Sequence, residues 1–210
     1  IEGIYTDYLD KKQEDNRLKR YSGKESWYHA SGAGSCSRKL YFESIEKAKP
    51  SNPLDAKTKR LLRLGNVVHD DFEKSLTHYN RDNNRDNNTR DISREKEKES
   101  KEKEIKFHTE QEVTIDELNV RGFYDIVVES DEIYLYDLKT CGGYSWKMKF
   151  GRKPSFNPSI HYELQLGTYG YALKEQFGRL DGMFLYYYNK DNSMMRAVSV
   201  PLTYISRAYL

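Results

Sequence analysis

Asp125, Asp137 and Lys139 are the residues of this 210-residue chain whose types and spacing point most directly to chemistry. They lie in two apolar runs, Val120-Arg-Gly-Phe-Tyr-Asp125 continuing to Glu129, and Ile133-Tyr-Leu-Tyr-Asp137-Leu-Lys139-Thr140, joined by Ser130-Asp131-Glu132. Side chains alternate along a strand, so Ile133, Leu135, Asp137 and Lys139 share a face: two apolar residues, then a carboxylate and an ammonium. An unpaired charge at the end of an apolar stripe is costly. Asp125 and Asp137 sit at similar distances on either side of the turn, so a hairpin brings them together. Neighbouring carboxylates raise a pKa unless something positive lies between them. Mg²⁺ or Mn²⁺ is the hard cation that suits such oxygen ligands. The spacing is not specific, because Asp-x-Lys recurs at Asp55-Ala56-Lys57 and Glu-x-Lys at Glu99-Ser100-Lys101. On these residues alone, a surface salt bridge on an edge hairpin stays open as a reading.

Two further sets belong with the trio. Gly65, His69 and Glu73 recur at i,i+4 and so share one helix face, with His69 turned toward the sheet. Gln165 and Tyr169 form a second i,i+4 pair, with His161 one turn earlier. Each set alone reads as ordinary packing; a histidine beside two acids and a lysine is a better ligand candidate.

The elements that must position these residues can be read from periodicity. Leu61, Leu64, Val68, Phe72 and Leu76 recur every three or four residues and predict a helix from the Asp55 cap to about Tyr79. Residues 4–30, with the basic cluster Arg17 to Lys24, predict short helices or loops. Ser31-Gly-Ala-Gly-Ser35 reads as a flexible lead-in to a short helix over Cys36 to Ile45, and Pro50-Ser-Asn-Pro53 as a break. Strands are expected at Val113 to Ile115, Val120 to Glu129, Ile133 to Thr140, Gly182 to Asn189 and Met195 to Leu202. A basic loop with Lys147, Lys149, Arg152 and Lys153 follows the third. A helix then runs from Asn157-Pro158 to about Phe177, and another starts near Tyr204. The order predicts an α/β fold, a mixed central sheet with helices on its faces. Residues 80–104, an Asn/Arg/Asp tract followed by a Glu/Lys run, read as a solvated polar insertion within one domain spanning 1–210.

Composition narrows the classes. Charged residues make up 32% and the formal net charge is +2, so the totals do not announce a nucleic-acid binder, although a local basic cleft remains compatible. Cys36 and Cys141 are too few for a disulfide scaffold or an all-cysteine zinc site, which favours a reducing cytoplasm. No signal peptide or membrane-spanning run is visible. The 18 tyrosines and Trp146 offer stacking surfaces for single strands. Richness in Asn, Lys and Tyr is compatible with an AT-rich coding genome, viral or phage, and the cytoplasm expected is that of a bacterial or phage-infected cell.

In order, Gly65-x3-His69-x3-Glu73, Gly122-x2-Asp125, Asp137-x-Lys139 and Gln165-x3-Tyr169 resemble the PD-(D/E)xK nucleases, and among them the RecB-type branch, which includes phage exonucleases and a CRISPR-associated nuclease. The resemblance spans roughly residues 31 to 190. It implies a restriction-endonuclease-like fold and a metal-dependent DNA nuclease, an exonuclease acting on DNA ends or single strands in recombination, repair or processing. It implies that His69, Asp125, Asp137 and the backbone carbonyl of Leu138 bind Mg²⁺ or Mn²⁺. Asp125, Asp137 and Lys139 are then catalytic, Gln165 and Tyr169 position the DNA strand, Arg38 meets phosphate, and Glu73 supports the site. Some relatives carry an iron–sulfur cluster on four cysteines. Cys36 matches the early one, but the late trio is missing, so no cluster is expected. DNA is the implied partner, with a recombination or repair protein as a possible second. A catalytically inactive DNA-binding subunit, a structure-specific endonuclease and an interaction protein with coincidental motifs remain the alternatives.

Overall fold

A computed structural model describes residues 2–21, 28–46, 48, 52, 54–89, 105–152 and 160–209. In chain order the elements are α1 (Glu2–Tyr21), β1 (Tyr28–His29), α2 (Ser37–Ser44), α3 (Ala56–Thr89), β2 (Lys106–Ile115), β3 (Val120–Glu129), β4 (Ile133–Cys141), α4 (Gly143–Phe150), α5 (Ile160–Phe177), β5 (Gly182–Asn189), β6 (Met195–Val200) and α6 (Tyr204–Tyr209). The six strands form one mixed sheet: β3 pairs antiparallel with β2 and β4, β4 parallel with β5, and β5 antiparallel with β6. Helices flank this sheet, the restriction-endonuclease-like arrangement expected from the sequence.

The core lies between the sheet and α5. Leu166, Tyr169, Ala172 and Leu173 of α5 pack with Val127, Leu135, Met183 and Leu185. Behind α5 sits α6, in direct contact where the Tyr204 carbonyl lies over Gly167. The other face is covered by α3, whose Phe72 ring meets Tyr186 and Tyr188 of β5 edge-on. Tyr136 stacks on Phe184 on neighbouring strands. Several of the aromatic rings that sequence offered as stacking surfaces for nucleic acid are thus engaged internally.

Several expectations are corrected. Residues 2–21 form one helix, not short pieces: α1 is too polar to show an apolar period, and it is tied to α3 by Asp10–Lys59 at 2.5 Å and Glu2–Arg60 at 3.0 Å. The apolar stripe of α3 faces the sheet only from Val68 onward. Leu61 and Leu64 are about half exposed, at 46% and 52%. Asp55 caps α3, its carboxylate accepting from the Thr58 amide at 2.7 Å. The helix runs past Tyr79 into the polar tract. There the Asn80 amide side chain docks on the outer edge of β2, donating to the Phe107 carbonyl and accepting from its amide. The glycine-rich lead-in is an ordered turn, with Gly34 at φ 72 packed against His161 and Leu164 of α5. The basic loop is largely helix α4, with Lys147 and Lys149 in its last turn, where cations complement the helix dipole. Strand β2 starts at Lys106, well before Val113. Lys153, the Asn157-Pro158 helix start, Ser22 to Lys24 and 90–104 of the insertion lie outside the described residues. Among the described residues no helix is long and apolar enough to cross a membrane.

Candidate active site

The site is built where two strands part company. β3 and β4 pair from Glu129↔Ile133 to Ile126↔Tyr136 and then diverge. Beyond that point β4 pairs only with β5, while the first residues of β3 pair in parallel with β1, Tyr28↔Val120 and His29↔Arg121. Since β2 covers the other edge of β3 along its whole length, β1 and β4 share one edge and a fork opens between them. Asp125 and Asp137 are the first residues past the last pair, one on each arm. The hairpin inferred from sequence therefore does bring them together.

Asp125 bridges the fork. Its Oδ2 accepts from the Leu138 amide at 2.6 Å, a carboxylate taking the place of a strand carbonyl. In a strand the amide and carbonyl of one residue project to the same side, so the Leu138 carbonyl opens into the fork as well. His69 arrives from α3, with Nδ1 3.7 Å from Asp125 Oδ1. Gly65, one turn earlier on α3, makes that approach close: a Cβ there would lie 2.9 Å from Thr140 Oγ1.

From the α5 side come Gln165 and Tyr169. Gln165 donates to Asp137 Oδ1 at 3.3 Å and to the Tyr169 hydroxyl at 3.2 Å, and its carbonyl accepts from Lys139 Nζ at 3.3 Å. Lys139 Nζ also lies 2.6 Å from Asp137 Oδ2 and 4.7 Å from the centre of the Tyr162 ring. Tyr169 can sit this deep because of Gly122, where a Cβ would fall 2.6 Å from its ring. The close partner of Gly122 is thus a side chain of α5. Groups from both faces of the sheet therefore meet in one fork.

The electrostatics follow from burial. Asp137 is 0% exposed, and its carboxyl is pushed up to about 7; burial is the main cause, resisted by Lys139 and reinforced by Asp125. Asp125 is pushed up to about 6, again mainly by burial. Mutual repulsion, the cause expected from sequence, is the smaller effect. For Lys139, burial pulls the pKa down, but Asp137 and Asp125 outweigh it and the net shift is upward. His69 is held low, first by burial and then by the Lys139 charge, which keeps the imidazole neutral and able to ligate.

These donors fit a divalent cation. A fully buried carboxylate, a partly buried one, an imidazole and a backbone carbonyl are a hard, oxygen-rich set; of their side chains, His69 and Asp125, together with Glu110, have donor atoms within 4.8 Å of one another, a group that does not include Asp137. Asp137 Oδ2 is buried, and its close partner is the Lys139 ammonium at 2.6 Å. Lys139 balances one of the two carboxylates, and the negative charge left over is costly in a largely buried site unless a further cation offsets it.

The structure brings together His69, Asp125, Asp137, Leu138, Lys139, Gln165 and Tyr169. Glu73 stands at the margin, close enough to raise the pKa of Glu110. Arg38 lies on the exposed side of α2 with its guanidinium over Phe42, 5.8 Å from the ring centre. Sequence reasoning missed Glu110 and Tyr162. Glu110 was findable: continuing β2 back along the hairpin register puts it opposite Asp125. Tyr162 gave no signal beyond lying one helical turn before Gln165.

No curated protein matches the chain in sequence. A solved structure described as the crystal structure of SSO0001 shares the fold, with a TM-score of 0.56 at 17% identity, over 100% of this chain and 84% of that one. The family model of the PD-(D/E)XK nuclease superfamily matches residues 80–201, which carry Asp125, Asp137, Lys139, Gln165 and Tyr169. With more than half of its length inside that match, the chain belongs to the PD-(D/E)XK nuclease superfamily.

Proposed function

We propose that this chain is a metal-dependent DNA nuclease of the RecB-type branch, an exonuclease acting on DNA ends or single strands, with Asp125, Asp137 and Lys139 as its catalytic set. The observation that carries this reading is Asp137: a fully buried carboxylate held between Lys139 and Gln165 and facing Asp125 across the fork, so that two acids share one ammonium. His69, Asp125, Asp137 and the Leu138 carbonyl would hold Mg²⁺ or Mn²⁺. Such an ion supplies a Lewis acid at the scissile phosphate and makes water acidic enough to attack near neutral pH.

The chain's own groups do the rest. Lys139 stands as an ammonium, so its first contribution is a fixed positive charge and a proton donor beside the phosphoryl oxygens as negative charge grows there. Gln165 fixes both Asp137 and Lys139, and with the Tyr169 hydroxyl it offers polar atoms to the DNA strand. Burial of Asp137 and the near-complete burial of Tyr169, 3% exposed, keep this geometry rigid before substrate arrives.

The test is cleavage of labelled linear duplex, circular and single-stranded DNA in Mn²⁺, Mg²⁺ or EDTA by wild type and Asp137→Ala. Wild type should cut with either ion and not in EDTA, and the variant should lose about 100-fold or more in rate. Cutting linear but not circular DNA supports the exonuclease; cutting circles makes it an endonuclease. Undiminished cleavage by Asp137→Ala sinks the assignment. Metal binding by wild type without cleavage of any substrate turns the reading to a DNA-binding subunit.

A further inference from the structure

Glu110 is the acid at the fork that the catalytic set leaves unused. On β2, Thr109 faces Ile126 and Gln111 faces Tyr124, so Glu110 stands opposite Asp125 with no residue inserted, yet the ladder skips this pair. Its backbone is left-handed, φ 49, inside a strand. The two strands change faces here. His108, paired with Val127, meets Phe177 of α5, and Gly122, an odd number of residues from Val127, also faces α5 at Tyr169. Regular alternation would put those two positions on opposite sides. The irregularity delivers the Glu110 side chain to the α3 side, at His69.

There a Glu110 oxygen, an Asp125 oxygen and a His69 nitrogen lie within 4.8 Å of one another. Bonds of about 2.1–2.4 Å from one cation reach all three. Two other acids on these strands have a cationic or imidazole partner: Glu112 with Arg121 at 3.8 Å and Glu129 with His108 at 2.6 Å. Glu110 makes no ion pair or hydrogen bond among the described residues. Its charged neighbours Glu73, Asp70 and Asp137 are all acids. One of them, Asp137, is wholly buried, with Lys139 Nζ 2.6 Å from its Oδ2. Glu110 itself is exposed at the mouth of the fork, and the carboxylates there outnumber the cations, with three donor atoms at ligand spacing.

We propose that Glu110 is a direct ligand of the divalent ion, together with His69 and Asp125. This rests on the metal-dependent reading of the site. The experiment is Mn²⁺ titration calorimetry on the full chain, with thermal unfolding in EDTA and in Mn²⁺, for wild type, Glu110→Gln, Glu110→Gly, Asp125→Asn and Glu112→Gln. Glu110→Gln should weaken Mn²⁺ binding about tenfold or more, while Glu112→Gln stays near wild type. In EDTA both Glu110 variants should melt at or above the wild-type temperature, because the charge crowding is relieved and glycine accepts this φ. In Mn²⁺ both should lose most of the metal-induced rise. Wild-type Mn²⁺ affinity in both Glu110 variants, with binding lost in Asp125→Asn, overturns the role of Glu110 and leaves the metal centre standing. No Mn²⁺ binding by wild type overturns the metal-dependent reading, and this proposal with it.

Discussion

At the scale of single residues, the two buried acids make a pH prediction whose sign can be worked out. Their carboxyls sit at about 7 and about 6, above the ordinary value of 3.8. Between about pH 4 and 7 the folded, metal-free chain therefore holds protons that the unfolded chain has released, and stability falls as pH rises through that window. Thermal unfolding in EDTA should give a lower midpoint at pH 8 than at pH 5, and Asp137→Asn should flatten that slope. Mn²⁺ competes with the same protons, so its affinity should rise between pH 6 and 8. A metal-free midpoint that rises over this range would contradict burial as the dominant cause. Sequence shows that Asp125 and Asp137 meet, because the hairpin register follows from the turn. It cannot show how deeply they are buried, because burial is set by α5 and α3, which arrive from far along the chain.

At the scale of elements, two glycines show how closely the helices are fitted to the sheet. A methyl group at Gly122 would fall 2.6 Å from the Tyr169 ring and 2.9 Å from Ala30 Cβ. Neither neighbour can give way, as Tyr169 and Ala30 are both buried. Gly122→Ala should destabilise by about 1–3 kcal/mol and disturb the Tyr169–Gln165 contact. At Gly65 the obstacle is the end of a threonine side chain, Thr140 Oγ1 at 2.9 Å, which a rotamer change removes. Replacing a mid-helix glycine with alanine gains about 1 kcal/mol, so Gly65→Ala should be near neutral. Chemical denaturation of the two variants side by side checks the contrast, and equal losses would refute it. The strands that sequence located well are β3, β4 and β5, whose apolar runs are bounded by turns. The first half of β2, Lys106-Phe-His-Thr-Glu-Gln-Glu, is mostly polar and was missed for that reason; pairing with β3 makes it a strand. Helix α1 escaped for the same kind of reason, being mostly polar: it buries Leu9 and adds exposed ion pairs to α3.

At the scale of the whole molecule, the family match covers residues 80–201 and leaves out His69, which the fold returns to the site through α3. The fold class was legible because the order of elements is a property of local pattern. The fork was not, because it depends on β1, a strand of two residues that no periodicity announces.

That small strand has a consequence for the order in which the protein assembles. The β3–β4 hairpin joins positions close in sequence, and such contacts form early, whereas Tyr28↔Val120 must wait for a distant segment to return. Left to itself the hairpin could keep zipping past Ile126 and close the space where Asp125 and Asp137 stand. β1 acts as a wedge that stops the zip. Pulse-labelled hydrogen exchange during refolding should protect the β3–β4 amides before the Tyr28 amide, which bonds to the Asn119 carbonyl at 2.9 Å; simultaneous protection would argue against the sequence of events. On that order the sheet forms first and the cleft last, so a chain that has regained most of its secondary structure would not yet have its site.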